Sequence, residues 1–209
     1  MTHSSPSSVP PQEGAPVSPG APVPAMTAAE IEAVRAREPG ALGRFYERYV
    51  DRVFGLVMRL LGDRALAEDV TQEVFLRIHR AAHTLDPARD PGPWVLTVAH
   101  NLCRDVWRSG AHRMARRSAS VDDGAGIAET LVSPGDDPAL ELVRREREVR
   151  VREALLELPE TLRTAIVLHD YEGLGHEQIA RRTGIEHAAA RKRYSRALAA
   201  LARRLEGRV

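Results

Sequence analysis

The chain has 209 residues, 43% of them hydrophobic and 28% charged, which is enough to bury one large core or two small ones. Its 30 Lys and Arg nearly cancel its 29 Asp and Glu, leaving a net charge of +1, so any basic surface for nucleic acid must be local. A lone cysteine, Cys103, excludes an internal disulfide and a multi-cysteine zinc site, and no apolar run approaches the roughly 18 residues needed to span a bilayer.

Residues 1–26 are rich in Pro, Ser, Gly and Ala. Proline fixes its own φ and lacks an amide donor, so this stretch reads as a disordered tail. No Lys or Arg precedes Arg35 and no apolar segment follows the first methionine, so the N-terminus is not expected to be a secretory signal. The expectation is a soluble, reduced, cytoplasmic protein without membrane insertion.

From residue 27 the pattern becomes helical. Leu42, Phe45, Tyr46, Tyr49, Val53, Leu56, Val57 and Leu60 recur at three- and four-residue steps, one stripe of a long helix. Gly62 and Asp63 interrupt it. Ala67, Val70, Val74 and Ile78 repeat the pattern in a second helix. Pro87, Pro91, Gly92 and Pro93 force a loop, and a third helix begins near Trp94 with Val95, Val98, Ala99, Leu102 and Val106 on one face. Residues 116–140 then carry Asp122, Asp123, Glu129, Asp136 and Asp137 among glycines and prolines, the composition of an acidic linker. In the remainder, Leu155 and Leu158 close a helix before Pro159, and Leu162, Ala165, Ile166 and His169 belong to the next. No segment alternates as a strand would. The predicted fold class is all-α: two small helical domains, 27–115 and 141–209, joined by the linker.

Residues 176–193 read as a short helix, a tight turn and a second helix. Ile179 and the small Ala180 face inward, and Gly184 falls where the turn between crossed helices needs φ > 0. Ile185 staples the turn. Ala190, Tyr194, Ala197, Leu198, Leu201 and Leu205 form the apolar stripe of the last helix, leaving Arg191, Lys192, Ser195 and Arg196 outside. Such a helix can enter a major groove, with arginines on guanine or phosphate. The alternative is an αα-hairpin with a solvated basic face. The third helix of the first half is also two-faced: Thr97, Asn101, Arg104, Asp105 and Arg108 lie together opposite its apolar stripe. Asn and Arg can bond base edges and phosphates; a plain solvated face fits as well.

Other groupings are weaker. His79 and His83 sit one turn apart without a third metal ligand in view. His100 and Cys103 border the apolar face, where a thiol is usually inert packing. No phosphate loop or Ser-His-Asp arrangement appears, so no catalytic residue, metal or cofactor is expected.

Ala67-Glu68-Asp69-Val70-Thr71-Gln72-Glu73-Val74-Phe75-Leu76-Arg77 resembles a signature of bacterial RNA polymerase sigma factors. Residues 93–102, Pro-Trp-Val-Leu-Thr-Val-Ala-His-Asn-Leu, are similar to that family's promoter-melting helix. Leu155 to Leu201, with Leu158-Pro159, Glu172-Gly173-Leu174 and Gly184-Ile185, resembles its second conserved domain. Two domains and a short linker match the extracytoplasmic-function (ECF) group. The resemblance implies a transcription initiation factor rather than an enzyme. It implies that Asp69, Gln72 and Glu73 dock on the β′ clamp of core RNA polymerase, and that the C-terminal domain meets the β flap. It further implies that Asn101, with Thr97, Arg104, Asp105 and Arg108, engages the −10 element. Glu186, His187, Arg191, Lys192, Ser195 and Arg196 would read the −35 duplex of promoter DNA. The loop Leu85–Pro93 would wall the pocket for a flipped base, and the acidic linker would follow the polymerase's RNA path. An anti-sigma protein is an implied partner. Pro91-Gly92-Pro93, Gly175, and the Glu186, His187 and Ala189 positions depart from the family pattern and bear on specificity. The rival readings are a stand-alone helix-turn-helix regulator and a small helical enzyme using His100, Cys103 or the His79/His83 pair.

Overall fold

A computed structural model describes residues 25–117 and 138–206, with side chains for all but 111–117 and 138–141. The proline-rich tail up to residue 24 and the central acidic linker lie outside the described residues. Every described element is helical, in agreement with the all-α prediction.

Helix α1, Ala28–Arg35, starts at a reciprocal cap: Thr27 Oγ1 accepts from the Glu30 amide at 3.2 Å, and Glu30 accepts from the Thr27 amide at 2.7 Å. Only Ile31 and Val34 are buried along it, too short a stripe to stand out in sequence. Helix α2, Ala41–Leu61, buries Phe45, Tyr49, Val53, Leu56, Val57 and Leu60. It ends at Gly62, whose φ of 79° favours glycine and where an added Cβ would lie 2.6 Å from Leu156. Helix α3, Arg64–Ala81, is capped by Asp63, which accepts from the Leu66 amide at 2.9 Å. A 3₁₀ turn, Ala82–Thr84, leads into the proline loop. Helix α4, Gly92–Arg117, runs two residues past the predicted linker boundary and buries Val95, Leu96, Ala99, His100, Leu102 and Cys103.

Helix α5, Pro138–Leu156, begins inside the predicted linker. Helix α6, Glu160–Ile166, follows Pro159 and passes into a π-helical turn, Val167–Tyr171. Helices α7, His176–Thr183, and α8, His187–Glu206, meet across Gly184, whose φ of 70° is the left-handed conformation expected of it. Gly175 has no side chain to cap α7, and its amide donates instead to Gln178 Oε1 at 2.9 Å.

Two expectations of burial fail. Tyr46 is 46% exposed and Leu198 41% exposed, each at the margin rather than the centre of its stripe. The two halves are also less separate than their sequences suggest. Val167, Leu168, Leu174, Ile179, Ala180 and Ala190 share one buried cluster with the cores of α1–α4, while Leu155, Leu158, Ile166, Ala197 and Ala200 form a smaller one. Polar contacts reinforce this packing. The Glu172 carboxylate, with its side chain only 3% exposed, pairs with Arg52 of α2 at 2.8 Å. Arg163 donates to the carbonyls of Leu60, Leu156 and Leu158, so one guanidinium satisfies carbonyls at the C-terminal ends of α2 and α5. Arg59 lies over the Tyr171 ring at 4.4 Å, a cation–π contact.

Candidate polymerase and promoter interfaces

Three surfaces carry the predicted residues. On α3, Asp69 and Gln72 are exposed and Glu73 is half-buried, its carboxylate 2.9 Å from Arg77. Their spacing puts them on one face. Beside them is an apolar patch that the sequence did not single out as surface. Leu76 is 45% exposed, and the Tyr46 and Phe75 rings meet at a 60° tilt with centroids 4.7 Å apart. Leu76 lies seven residues after Asp69, so it continues the same face; that spacing was the available signal.

On α4, Asn101, Asp105 and Arg108 are exposed, whereas Thr97 and Arg104 are half-buried. Thr97 donates its hydroxyl to the Pro93 carbonyl at 2.8 Å and lines a cleft with Trp94, Gln178, Arg181 and Arg182. Arg182 closes that cleft by donating to the Pro93 carbonyl at 3.0 Å. Arg104 and Arg108 line a second cavity of about 280 Å³, opposite Glu160, Thr161 and Arg193. The predicted −10 face is thus partly turned toward the C-terminal half. The loop before α4 is ordered by Asp90, which accepts from the Gly92 amide at 3.2 Å and from the Tyr49 hydroxyl at 3.4 Å. Burial, reinforced by that carboxylate, pushes the Tyr49 phenol above its ordinary range.

His100 and Cys103 are packing residues. His100 is 2% exposed, and burial, with Arg104 and Arg182 nearby, lowers its pKa to about 4. Burial pushes the Cys103 thiol up to about 12, so it carries no thiolate at neutral pH. Among the described residues, no group of three or more His, Cys, Asp or Glu side chains is placed to hold a metal, and His79 and His83 remain a pair.

All six predicted −35 residues are exposed: Glu186 just before α8, and His187, Arg191, Lys192, Ser195 and Arg196 on it. Arg191, Lys192 and Ser195 line an open depression of about 470 Å³ with His176, Ala188 and Tyr194. Several aromatic rings gather at its edge. His169 stacks on His176 at 4.8 Å and lies 4.2 Å from Tyr194, while His176 is 6.4 Å from His187. Asp170 Oδ1 holds this group, accepting from the Tyr194 hydroxyl at 2.8 Å and lying 2.8 Å from His169 Nδ1. Neither His169 nor His176 was singled out from sequence as a DNA residue, because their neighbourhood is created by the packing of three elements.

A helix-turn-helix presenting a basic face, joined to a second helical module with its own polar faces, defines a two-module DNA-reading protein. Comparisons with known proteins place it more narrowly. The model of Sigma-70 region 2 matches residues 45–113, and that of Sigma-70, region 4 matches residues 148–201. The ECF RNA polymerase sigma factor SigK of Mycobacterium bovis (strain BCG / Pasteur 1173P2) is 33% identical over 176 residues, covering 82% of this chain and 89% of SigK. SigK of Mycobacterium sp. (strain KMS) is 31% identical over 164 residues, covering 78% and 82%. The chain belongs to the sigma-70 family of RNA polymerase sigma factors, in its ECF group. It is a transcription initiation factor, which binds core polymerase and DNA and is not an enzyme.

Solved structures agree in fold. CnrH, in complex with the cytosolic domain of CnrY, matches with a TM-score of 0.59 at 20% identity, covering 86% of this chain and 97% of that one. RpoE of Bartonella quintana, in complex with the anti-sigma factor NepR, matches at 0.63 and 18% identity, covering 80% and 98%. No helix among the described residues is long and apolar enough to cross a membrane. A stand-alone regulator would account for α7 and α8 only, whereas the family match extends over both halves.

Proposed function

We propose that this sigma factor docks on the polymerase β′ clamp through Asp69, Gln72 and Glu73, reads the −35 duplex with Glu186, His187, Arg191, Lys192, Ser195 and Arg196, and captures melted −10 bases with Asn101 and its neighbours Thr97, Arg104, Asp105 and Arg108. The working division is 27–115 for clamp and −10 functions, 116–140 for the linker, and 141–209 for the −35 function and the β flap. The observation that carries this reading is the separation of three polar surfaces onto three helices, open on α3 and α8 and partly turned toward the C-terminal half on α4, each inside a family-matched segment.

The chemistry of each step follows from the residue types. The α3 face offers carboxylates and an amide beside the exposed Leu76 and the Tyr46–Phe75 pair, an acidic rim around an apolar anchor. On α8, the arginines and Lys192 supply counterion-releasing contacts, and Glu186 can accept from a cytosine amine. On α4, Asn101 presents one amide to a base edge. Extruding a base costs a few kcal/mol, so capture must offset that through hydrogen bonds and stacking in a shaped pocket. Strand opening is then driven by binding energy, because the captured bases stabilise the open state more than the closed one. Polymerase performs the bond-making.

Cytoplasmic location follows from working on chromosomal promoters. RpoE with NepR supplies the precedent for a further partner, an anti-sigma protein. Charge reversal tests the docking face: Asp69→Arg combined with Glu73→Arg should weaken association with core polymerase at least tenfold in a pull-down titration, leaving helicity unchanged. Retention of full affinity would remove α3 from the interface.

A further inference from the structure

The depression beside α8 holds more than the predicted DNA residues. Arg191 and Lys192 enter it without an ion-pair partner among the described residues, and Ser195 lies one turn further on. His176 completes its wall, with Nδ1 screened from solvent and bonded to nothing. The ring is held in place by stacking on His169 and by Tyr194 at 5.2 Å. The ionisable groups facing it are His169 and Asp170 from the π-helical turn, Glu177 on its own helix, and His187, Arg191, Lys192 and Tyr194 from α8. Glu177 is engaged by Arg181 at 2.6 Å, and Asp170 by Tyr194 and His169. The balance around His176 is therefore cationic, with two bound carboxylates and an open mouth.

We propose that this depression is a phosphate seat for duplex DNA in which His176 acts with Arg191, Lys192 and Ser195, and that His176 takes up a proton when the phosphate arrives. The proposal deepens the −35 reading and rests on it. Partial burial, then His169, His187 and Arg191, lower the His176 pKa in the free chain, which favours the neutral imidazole before DNA binds. A DNA phosphodiester set between Arg191 and His176, its single negative charge shared by two non-bridging oxygens, reverses that balance where these cationic groups crowd together. Proton uptake on binding makes affinity rise as pH falls. His169 and Tyr194 act through His176, positioning its ring rather than touching DNA.

The test uses the full chain and a short fluorescent duplex DNA of arbitrary sequence, with anisotropy read from about pH 8 to about pH 6 at constant ionic strength. Wild-type affinity should rise about threefold per pH unit, out of the tenfold that one fully linked proton would give. His176→Phe keeps an aromatic ring against His169 and should lose most of that slope. His83→Phe, on the distant 3₁₀ turn, should keep it. An NMR titration of the wild-type His176 ring, with and without the duplex, reads the same linkage without any variant, and its pKa should be higher when DNA is bound. A pH slope unchanged by His176→Phe, or a His176 pKa that DNA does not move, overturns the proposal while leaving the −35 reading intact. A folded chain that binds no duplex at any pH overturns both.

Discussion

Asn101 and Arg191 are both exposed polar residues, yet they are asked to do different things. In the proposed reading, Asn101 meets bases only after the strands part. Asn101→Ala should therefore depress open-complex formation, read by permanganate reactivity of unpaired thymines, far more than closed-complex binding; equal losses would contradict its role. Arg191 is proposed to meet duplex DNA, so Arg191→Ala should weaken binding and reduce the log–log salt slope by about 1. An unchanged slope would place it away from the backbone. His100 gives a third residue-scale prediction. Its folded pKa of about 4 lies below the ordinary 6.5, so between those values the unfolded chain binds a proton that the folded chain refuses. Stability is full above pH 6.5 and falls on acidification toward pH 4, by roughly 1 kcal/mol per pH unit. His100→Phe should flatten that decline in urea midpoints measured between pH 7 and 5. Arg191, Lys192, Ser195 and Arg196, like the α4 set, stand out at this scale because they sit opposite apolar stripes, whereas Asp69, Gln72, Glu73, Glu186 and His187 were named only through the family resemblance. His169 and His176 were not legible, because their meeting depends on how a π-helical turn, α7 and α8 pack.

Among the elements, the turn between α7 and α8 carries the geometry of the reading head. Gly184 has φ of 70° and open space around its Cα, so alanine there meets no clash but must adopt a left-handed conformation. Gly184→Ala should cost about 1–2 kcal/mol and lower the urea midpoint accordingly. A neutral effect would mean the turn rearranges cheaply. The long helices announced themselves through three- and four-residue apolar spacing; α2 and α3 were readable almost residue by residue. Helix α1 was not, since two buried residues make no stripe. Periodicity also could not tell the middle of a buried face from its edge, which is why Tyr46 and Leu198 were misassigned. Glu172 resembled a family motif without a visible reason in sequence; its partner, Arg52, lies 120 residues away.

At the scale of the whole molecule, the two halves pack together through a shared core and the contacts of Arg52, Arg59, Arg163 and Arg182. The −35 face stays open in this arrangement, while Thr97, Arg104 and Arg108 line clefts facing α6–α8. If the two faces engage two separated promoter boxes as proposed, the halves must act at a distance that the larger polymerase scaffold would impose. The most direct test of the account is run-off transcription with purified core polymerase from the source organism on a genomic library, with and without this chain. The account predicts discrete new transcripts whose start sites share one −35 and one −10 motif. A folded, inhibitor-free chain that neither associates with core polymerase nor changes the transcripts would contradict it.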